Sequence, residues 1–116
     1  MLNTIFKKYR ETVVKSGSEF RVPKDLCLSF LKDCRLHRVA ILGIEGFKSF
    51  PDNSIQPQID EIADFSALSE LKWDNFVDKS IGSAENFISN LLEKDQGYSD
   101  LFYFELCEID INDESK

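Results

Sequence analysis

Acidic side chains are the residues of this sequence with the clearest capacity for chemistry. Asp60 and Asp64 lie four residues apart, and two carboxylates can act as general acid and general base in a hydrolase. That chemistry also requires a cleft that raises one of the two pKa values, which the sequence does not indicate. The surrounding segment DNSIQPQIDEIAD lacks the glycine and the spacing of a calcium loop. For most of these carboxylates taken singly, the pattern favours a solvated face.

Histidine and cysteine give little support for catalysis or metal binding. His37 is the single histidine, and no G-x-S-x-G string supplies a serine nucleophile for it to activate. Cys27, Cys34 and Cys107 occupy apolar segments without C-x-x-C spacing, so we expect three reduced thiols that pack in the core. We therefore expect no catalytic, cofactor-binding or metal-binding residue, and a protein that is not an enzyme.

Charge is divided unevenly along the chain. Residues 1–50 contain ten Lys and Arg against five Asp and Glu, whereas residues 51–116 contain four against sixteen. Such an acidic surface repels itself unless a cationic partner meets it, and it is unsuited to holding nucleic acid phosphates. With no long apolar run either, we expect a cytoplasmic binder of a basic protein that contacts neither nucleic acid nor membrane.

The elements that must position these side chains follow from apolar periodicity and from turn residues. Apolar residues spaced three and four apart predict four helices, over residues 2–15, 23–34, 66–80 and 83–94. Gly82 separates the third helix from the fourth, and Ser83 is the predicted N-cap of the fourth. An apolar run closed by Gly46 predicts a central strand covered on both faces, over residues 39–44. The segment 48–58, with two prolines, predicts a loop.

Two further strands complete the predicted fold. Imperfect alternation indicates a strand over residues 59–65, and an aromatic, β-branched run indicates a long strand over residues 101–111 with a bulge near Leu106 and Cys107. Residues 112–116 are predicted to be a frayed tail. The order favours a single domain spanning residues 1–116, of α+β (or α/β) class, with a small three- to four-stranded sheet flanked by helices.

Acidic and aromatic residues together indicate a protein interface. Carboxylates steer a basic partner and pair with its Lys and Arg, while aromatic anchors supply much of the binding energy. Trp73 fits an ordinary core position equally well. The predicted partner-binding residues, which combine these two types, are Glu45, Phe47, Phe50, Asp52, Asp60, Glu61, Asp64, Trp73, Asp74 and Asp78.

Three strings carry a family resemblance: ILGIEGF at residues 41–47, IQPQIDEIADFS at residues 55–66, and the later YFELCEIDI. Over residues 36–111 the chain resembles small bacterial immunity proteins of the polymorphic toxin and contact-dependent growth inhibition systems. The resemblance implies a cytoplasmic protein without enzymatic activity. It also implies a one-to-one complex that neutralises a cognate toxin domain, often a nuclease.

Two other functions fit the same residues. A non-toxin adaptor or regulatory subunit would use the acidic surface on a basic cellular protein. A small carboxylate-dependent hydrolase would use Asp60 and Asp64, and would bind metal or turn over a substrate. The gene neighbourhood separates the adaptor from an immunity protein, because an immunity gene directly follows the gene of its toxin.

Overall fold

The computed structural model describes residues 14–16, 19–52, 54–93 and 99–108. Two helices and five strands make up this part of the chain, together with 3-10 turns at Lys24–Leu26 and Ser66–Glu70. In chain order the elements are β1 (Val14–Ser16), β2 (Glu19–Pro23), α1 (Cys27–Leu36), β3 (Ala40–Ser49), β4 (Ile55–Asp64), α2 (Trp73–Glu93) and β5 (Leu101–Cys107).

The strands form one sheet in the order β1-β2-β5-β3-β4, and every neighbouring pair is antiparallel. Helix α1 packs on α2, and α2 packs on β3. This arrangement confirms the predicted α+β class. The described sheet has five strands, because the short pair β1 and β2 adds to the strands that the sequence pattern indicates.

The core lies between the helices and one face of the sheet. Both helices present an apolar stripe, and β3 and β5 supply Ile44 and Phe104 from paired positions. The buried cluster comprises Val22, Cys27, Phe30, Leu31, Cys34, Val39, Ala40, Ile41, Ile44, Phe76, Val77, Ile81, Ala84, Ile88, Phe102, Phe104 and Cys107. All three cysteines are buried free thiols, as predicted. Burial, as the main cause, raises the pKa of Cys27, and it raises the pKa of Cys34 to about 12.

Helix boundaries differ from the sequence prediction at three places. Most of the predicted helix 2–15 lies outside the described residues, and positions 14 and 15 belong to β1. Pro23 ends β2, where it pairs with Leu101, and caps the 3-10 turn Lys24–Leu26, so that the α-helix predicted from residue 23 begins at Cys27. Helix α2 continues through Gly82 and Ser83, because the buried stripe at Val77, Ile81, Ala84 and Ile88 stays in phase across them.

Strand boundaries also differ. Strands β3 and β4 reach well into the predicted loop 48–58, so that only residues 50–54 connect them. Pro57 is tolerated because β4 is the last strand of the sheet that the described residues form. The bulge predicted in the final strand near Leu106 and Cys107 lies instead in the neighbouring strand β3: Ile41 pairs with Leu106 and Gly43 with Glu105, which leaves Leu42 of β3 as the extra residue. The final strand, β5, ends at Cys107, and residues 112–116 lie outside the described part.

Helix α1 ends at a cap whose geometry matters for the acidic residues. The N–H of Arg38 donates to the carbonyl of Arg35 (3.2 Å), and the N–H of Val39 donates to the carbonyl of Cys34 (2.8 Å). This is a Schellman motif, in which the position held by Arg38 usually takes glycine. Arg38 has a φ of 57°, so an arginine occupies a left-handed conformation here.

Candidate functional site

A groove crosses the face of the sheet that lies away from the helices. Its floor is the backbone around Gly43, and strand pairing builds its sides in two rows. Glu105 of β5 and Asp64 of β4 both pair with Gly43, on opposite sides of β3. In the next row, Tyr103 and Ile62 flank Glu45 in the same way. Side chains of directly paired residues point to the same face, so both rows line one surface.

Gly43 creates the depression between the two outer carboxylates. A Cβ atom added there would lie 3.1 Å from the carbonyl oxygen of Ala63 and 3.9 Å from Oε2 of Glu105. The missing side chain leaves two acids facing each other across a gap of two strand spacings, about 10 Å. That gap is wide enough for one extended cationic side chain to enter between them.

A β-bulge in β3 determines which side chains of that strand point into the groove. The extra residue Leu42 shifts the register of β3 against β5, and the displaced N–H of Ile41 donates to Oγ of Ser80 in α2 (3.0 Å). Without the bulge, the side chains of β3 beyond it would exchange faces. The position of Glu45 on the open face therefore depends on a contact inside the core.

Carboxylates dominate the lining of the groove, and one cation of the described strands, the buried Arg21 of β2, lies on the same face beside its paired residue Tyr103. The lining residues of the groove include three carboxylates, from Glu45, Asp64 and Glu105, and no Lys or Arg. Hydrogen bonds from the Ser66 hydroxyl and then from the Ser66 backbone lower the pKa of Asp64 below its usual range. The backbone N–H of Ser66 donates to Oδ1 of Asp64 at a distance of 2.9 Å. A lowered pKa keeps Asp64 ionised, which is the opposite of what a general acid requires.

The three groove carboxylates do not form a cluster that could hold a metal ion. Across the described ranges 14–16, 19–52, 54–93 and 99–108, no group of three or more His, Cys, Asp and Glu side chains is arranged to hold one. The surface instead suits a longer cation, such as the guanidinium or ammonium group of a partner side chain.

Asp74 and Asp78, also predicted to bind a partner, lie elsewhere and are paired within the chain. Arg38 donates to Oδ1 of Asp74 at 2.7 Å and to Oδ1 of Asp78 at 3.0 Å. The hydrogen bond to Asp74, and to a smaller extent the one to Asp78, raises the pKa of Arg38. The two acids remain solvent-exposed, but their charge is already partly compensated.

Glu61 and Phe47 require a correction, because neither side chain is available at the surface. Glu61 is 5% exposed, and one carboxylate oxygen accepts from the Ser99 backbone N–H (2.7 Å) and from the Ser99 hydroxyl (2.6 Å). Phe47 is also 5% exposed, with the Arg21 guanidinium 4.4 Å from its ring centroid. Both residues hold the fold together, so we remove them from the contact surface.

Gly46 explains why Glu61 and Ser99 meet. A Cβ added to Gly46 would collide with the side chain of Ser99 and lie 3.1 Å from the carbonyl oxygen of Glu61. Glycine is needed here because Ser99, two residues before β5, packs directly on Gly46. The neighbouring Asp100 also holds this segment against β3, because its carboxylate accepts hydrogen bonds from the backbone N–H (2.8 Å) and the hydroxyl (2.6 Å) of Ser49.

The remaining predicted contacts are dispersed. Asp52 accepts from the N–H and hydroxyl of Ser54 in the turn after β3, and these bonds lower its pKa. Phe50 is 41% exposed beside that turn. Asp60 is exposed in β4, while Trp73 is half-buried and packs edge-on against Phe76 with ring centroids 5.9 Å apart. Of the ten predicted residues, Glu45 and Asp64 line the groove.

Three side chains of the two rows that build the groove were not among the predicted contacts: Ile62, Tyr103 and Glu105. A partial signal was present, because Tyr103 and Glu105 are two apart in a predicted strand and therefore share a face. Which face that is depends on the pairing with β3, which the sequence pattern leaves open.

Comparison of the chain with protein-family models, curated proteins and solved structures finds no match. In the described part of the chain, neither helix has the length and hydropathy required to span a bilayer.

Proposed function

We propose that this chain is an immunity protein that binds and neutralises a cognate basic toxin domain, in a one-to-one complex, through the acidic groove. The observation that carries the proposal is the row Glu105–Gly43–Asp64 with Glu45 beside it. Like charges clustered on one sheet face destabilise the free protein, and a cation from a partner removes that cost.

The contrast with the other acids supports a role for the groove. Asp74 and Asp78 face Arg38, and Glu85 forms a two-pronged pair with Arg35 at 2.9 and 3.0 Å. The Arg35–Glu85 pair links α1 to α2, and the Arg38 pairs link the segment that follows α1 to α2. Within the part of the chain that the structure describes, no Lys or Arg is among the residues that line the groove with Glu45, Asp64 and Glu105.

The toxin class follows from the charge and from the resemblance to immunity proteins. A nuclease must present cationic side chains to hold phosphates, and carboxylates at similar spacing can occupy the same surface. The strings that carry the resemblance include both Glu45 and Asp64. An enzymatic role receives less support, because the lowered pKa of Asp64 is unfavourable for proton donation.

The test begins with coexpression of the chain and an inactive form of the toxin domain encoded directly upstream of its gene. We expect co-purification in a one-to-one ratio and inhibition of the active toxin by the purified chain. Failure to obtain a complex would overturn the immunity assignment and favour an adaptor that uses the groove on a basic cellular protein.

Charge variants then test the groove itself. The triple variant Glu45→Gln, Asp64→Asn, Glu105→Gln keeps the shapes and removes three charges. We expect its Kd to rise at least about 100-fold at low salt, with a weaker dependence on salt concentration. The matched control is the double variant Asp74→Asn, Asp78→Asn, which should change Kd less than about threefold, because Arg38 already compensates those acids. Equal effects of the two variants would contradict the proposed surface.

A further inference from the structure

Strand β4 forms an edge of the sheet, with β3 as its one neighbour among the described strands. The N–H of Phe65 donates to the carbonyl of Leu42 (2.8 Å), so the backbone at position 65 faces β3. Backbone direction alternates along an antiparallel strand, and the register is regular over residues 62–64. The N–H and C=O groups of Ile62 and Asp64 therefore point outward, away from β3.

The first half of the same edge is protected against pairing. The N–H of Phe50 donates to the carbonyl of Ser54 (3.0 Å), and the register from there is regular through Gln58. Alternation places the backbone of Pro57 outward, where a proline removes the N–H that another strand would need. No such block is present at Ile62 and Asp64, so the edge is closed at one end and open at the other.

The open end also carries an apolar side chain. Ile62 is 47% exposed on the groove face, and Ile59, in the irregular part of β4, is 80% exposed. Edge strands normally avoid exposed β-branched residues because they attract other strands. Outward backbone groups and an exposed isoleucine at the same position are the features of a strand-addition site.

We propose that an extended segment of the basic partner adds to the sheet beside β4 at Ile62–Asp64. This inference rests on the proposed function and names the way the partner binds. Residues opposite Asp64 and Ile62 in the added strand share the groove face. The segment is therefore expected to have a Lys or Arg opposite Asp64 and an apolar residue two positions away, opposite Ile62.

Charge decides between a basic partner and a second copy of this chain. A cation opposite Asp64 extends the row Glu105–Gly43–Asp64 by one strand, within reach of the gap at Gly43. Pairing two copies along β4 would instead bring the exposed Asp60 and Asp64 of each copy close together, in chains of formal net charge −7. The edge is thus complementary to a cationic strand and not to itself.

Hydrogen exchange of the wild-type chain gives the first measurement. The probe is the inactive toxin domain encoded directly upstream. In the free chain, the amides of Ile62 and Asp64 should exchange faster than that of Ala63, which faces β3. On complex formation we expect their exchange to slow at least about tenfold. A complex that forms while both amides keep their free exchange rates would overturn the strand-addition proposal and leave the proposed function intact.

Two variants at one position isolate the backbone contribution. Ile62→Pro removes the outward N–H, and Ile62→Thr keeps that N–H while removing apolar surface. We expect Ile62→Pro to raise Kd for the same probe about tenfold more than Ile62→Thr does. Circular dichroism first establishes that both variants keep the wild-type fold. If the proline variant does not fold, the hydrogen-exchange measurement on the wild-type chain is the deciding test. Equal Kd values for two folded variants would also contradict strand addition. If the wild-type chain forms no complex at all, the proposed function and this inference both fail.

Discussion

Oγ of Ser80 accepts a hydrogen bond of 3.0 Å from the backbone N–H of Ile41, and both residues are fully buried. The bond satisfies a donor that the bulge at Leu42 removes from the strand ladder. The Ser80 hydroxyl also donates to the carbonyl of Val77 in its own helix (3.3 Å). The hydrogen bond between Ile41 and Ser80 therefore connects β3 to a side chain that is itself anchored in α2. One buried hydroxyl thus supports the register on which the groove depends.

Replacing Ser80 by alanine should destabilise the protein by about 1–3 kcal/mol, because a buried N–H is left without its acceptor. Urea unfolding monitored by circular dichroism gives the free energy. Ser83→Ala, on the same helix and only half-buried, is the matched control and should change stability by less than about 0.5 kcal/mol. Similar losses for the two variants would show that the Ile41 contact contributes little.

Replacing Glu61 by alanine tests its corrected role as a structural residue. The change removes the acceptor of two hydrogen bonds from Ser99 at a site that is 5% exposed. We expect a loss of about 1–3 kcal/mol in thermal or urea unfolding, with a smaller loss for Glu61→Gln, which keeps one oxygen acceptor. Asp60→Ala, an exposed neighbour in β4, should be close to neutral. A neutral Glu61→Ala would argue that the contact is dispensable.

Two variants of Arg38 separate backbone strain from ion pairing. Both Arg38→Gly and Arg38→Ala remove the pairs with Asp74 and Asp78, whose exposed geometry makes them worth roughly 0–1 kcal/mol. Only glycine also relieves the left-handed conformation at φ 57°. The glycine variant should therefore be more stable than the alanine variant by about 1 kcal/mol in urea unfolding. Equal stabilities would mean that the strain is relaxed in the alanine variant.

The buried thiols predict a loss of stability at alkaline pH. In the folded chain the pKa of Cys34 is raised from 9.0 to about 12, chiefly by burial, and that of Cys27 is also raised. A raised pKa gives stability that is complete below the unfolded value and is lost as pH rises toward the folded one. We expect unfolding free energy to fall between pH 9 and pH 12 by on the order of 1 kcal/mol per pH unit for each thiol.

The measurement for the thiols compares the wild-type chain with Cys34→Ala over that pH range. The alanine variant should be less stable at pH 7, because it leaves a cavity, and should lose less stability as the pH rises. Parallel pH profiles for the two proteins would contradict the raised pKa. Slow labelling of native Cys34 by a thiol reagent at pH 8, compared with urea-unfolded protein, gives an independent check.

Some of this structure was open to prediction because local pattern encodes it. The stripe of α1 at Cys27, Phe30, Leu31 and Cys34 is periodic, and so is the aromatic run of β5; both gave the correct element type. The α+β class and the burial of the three thiols followed from these patterns. The sequence also predicted carboxylates at Glu45 and Asp64 for a contact surface, and both line the groove.

Tertiary structure alone decided which acids stand together and which are paired. Arg38 compensates Asp74 and Asp78 because a left-handed cap turns it toward α2, and periodicity carries no information about that turn. Glu105 meets Asp64 across Gly43 because the bulge at Leu42 sets the register between β3 and β5. A shift of one residue would move every side chain of a strand to the opposite face, so spacing along the chain cannot specify a surface that is built from three strands.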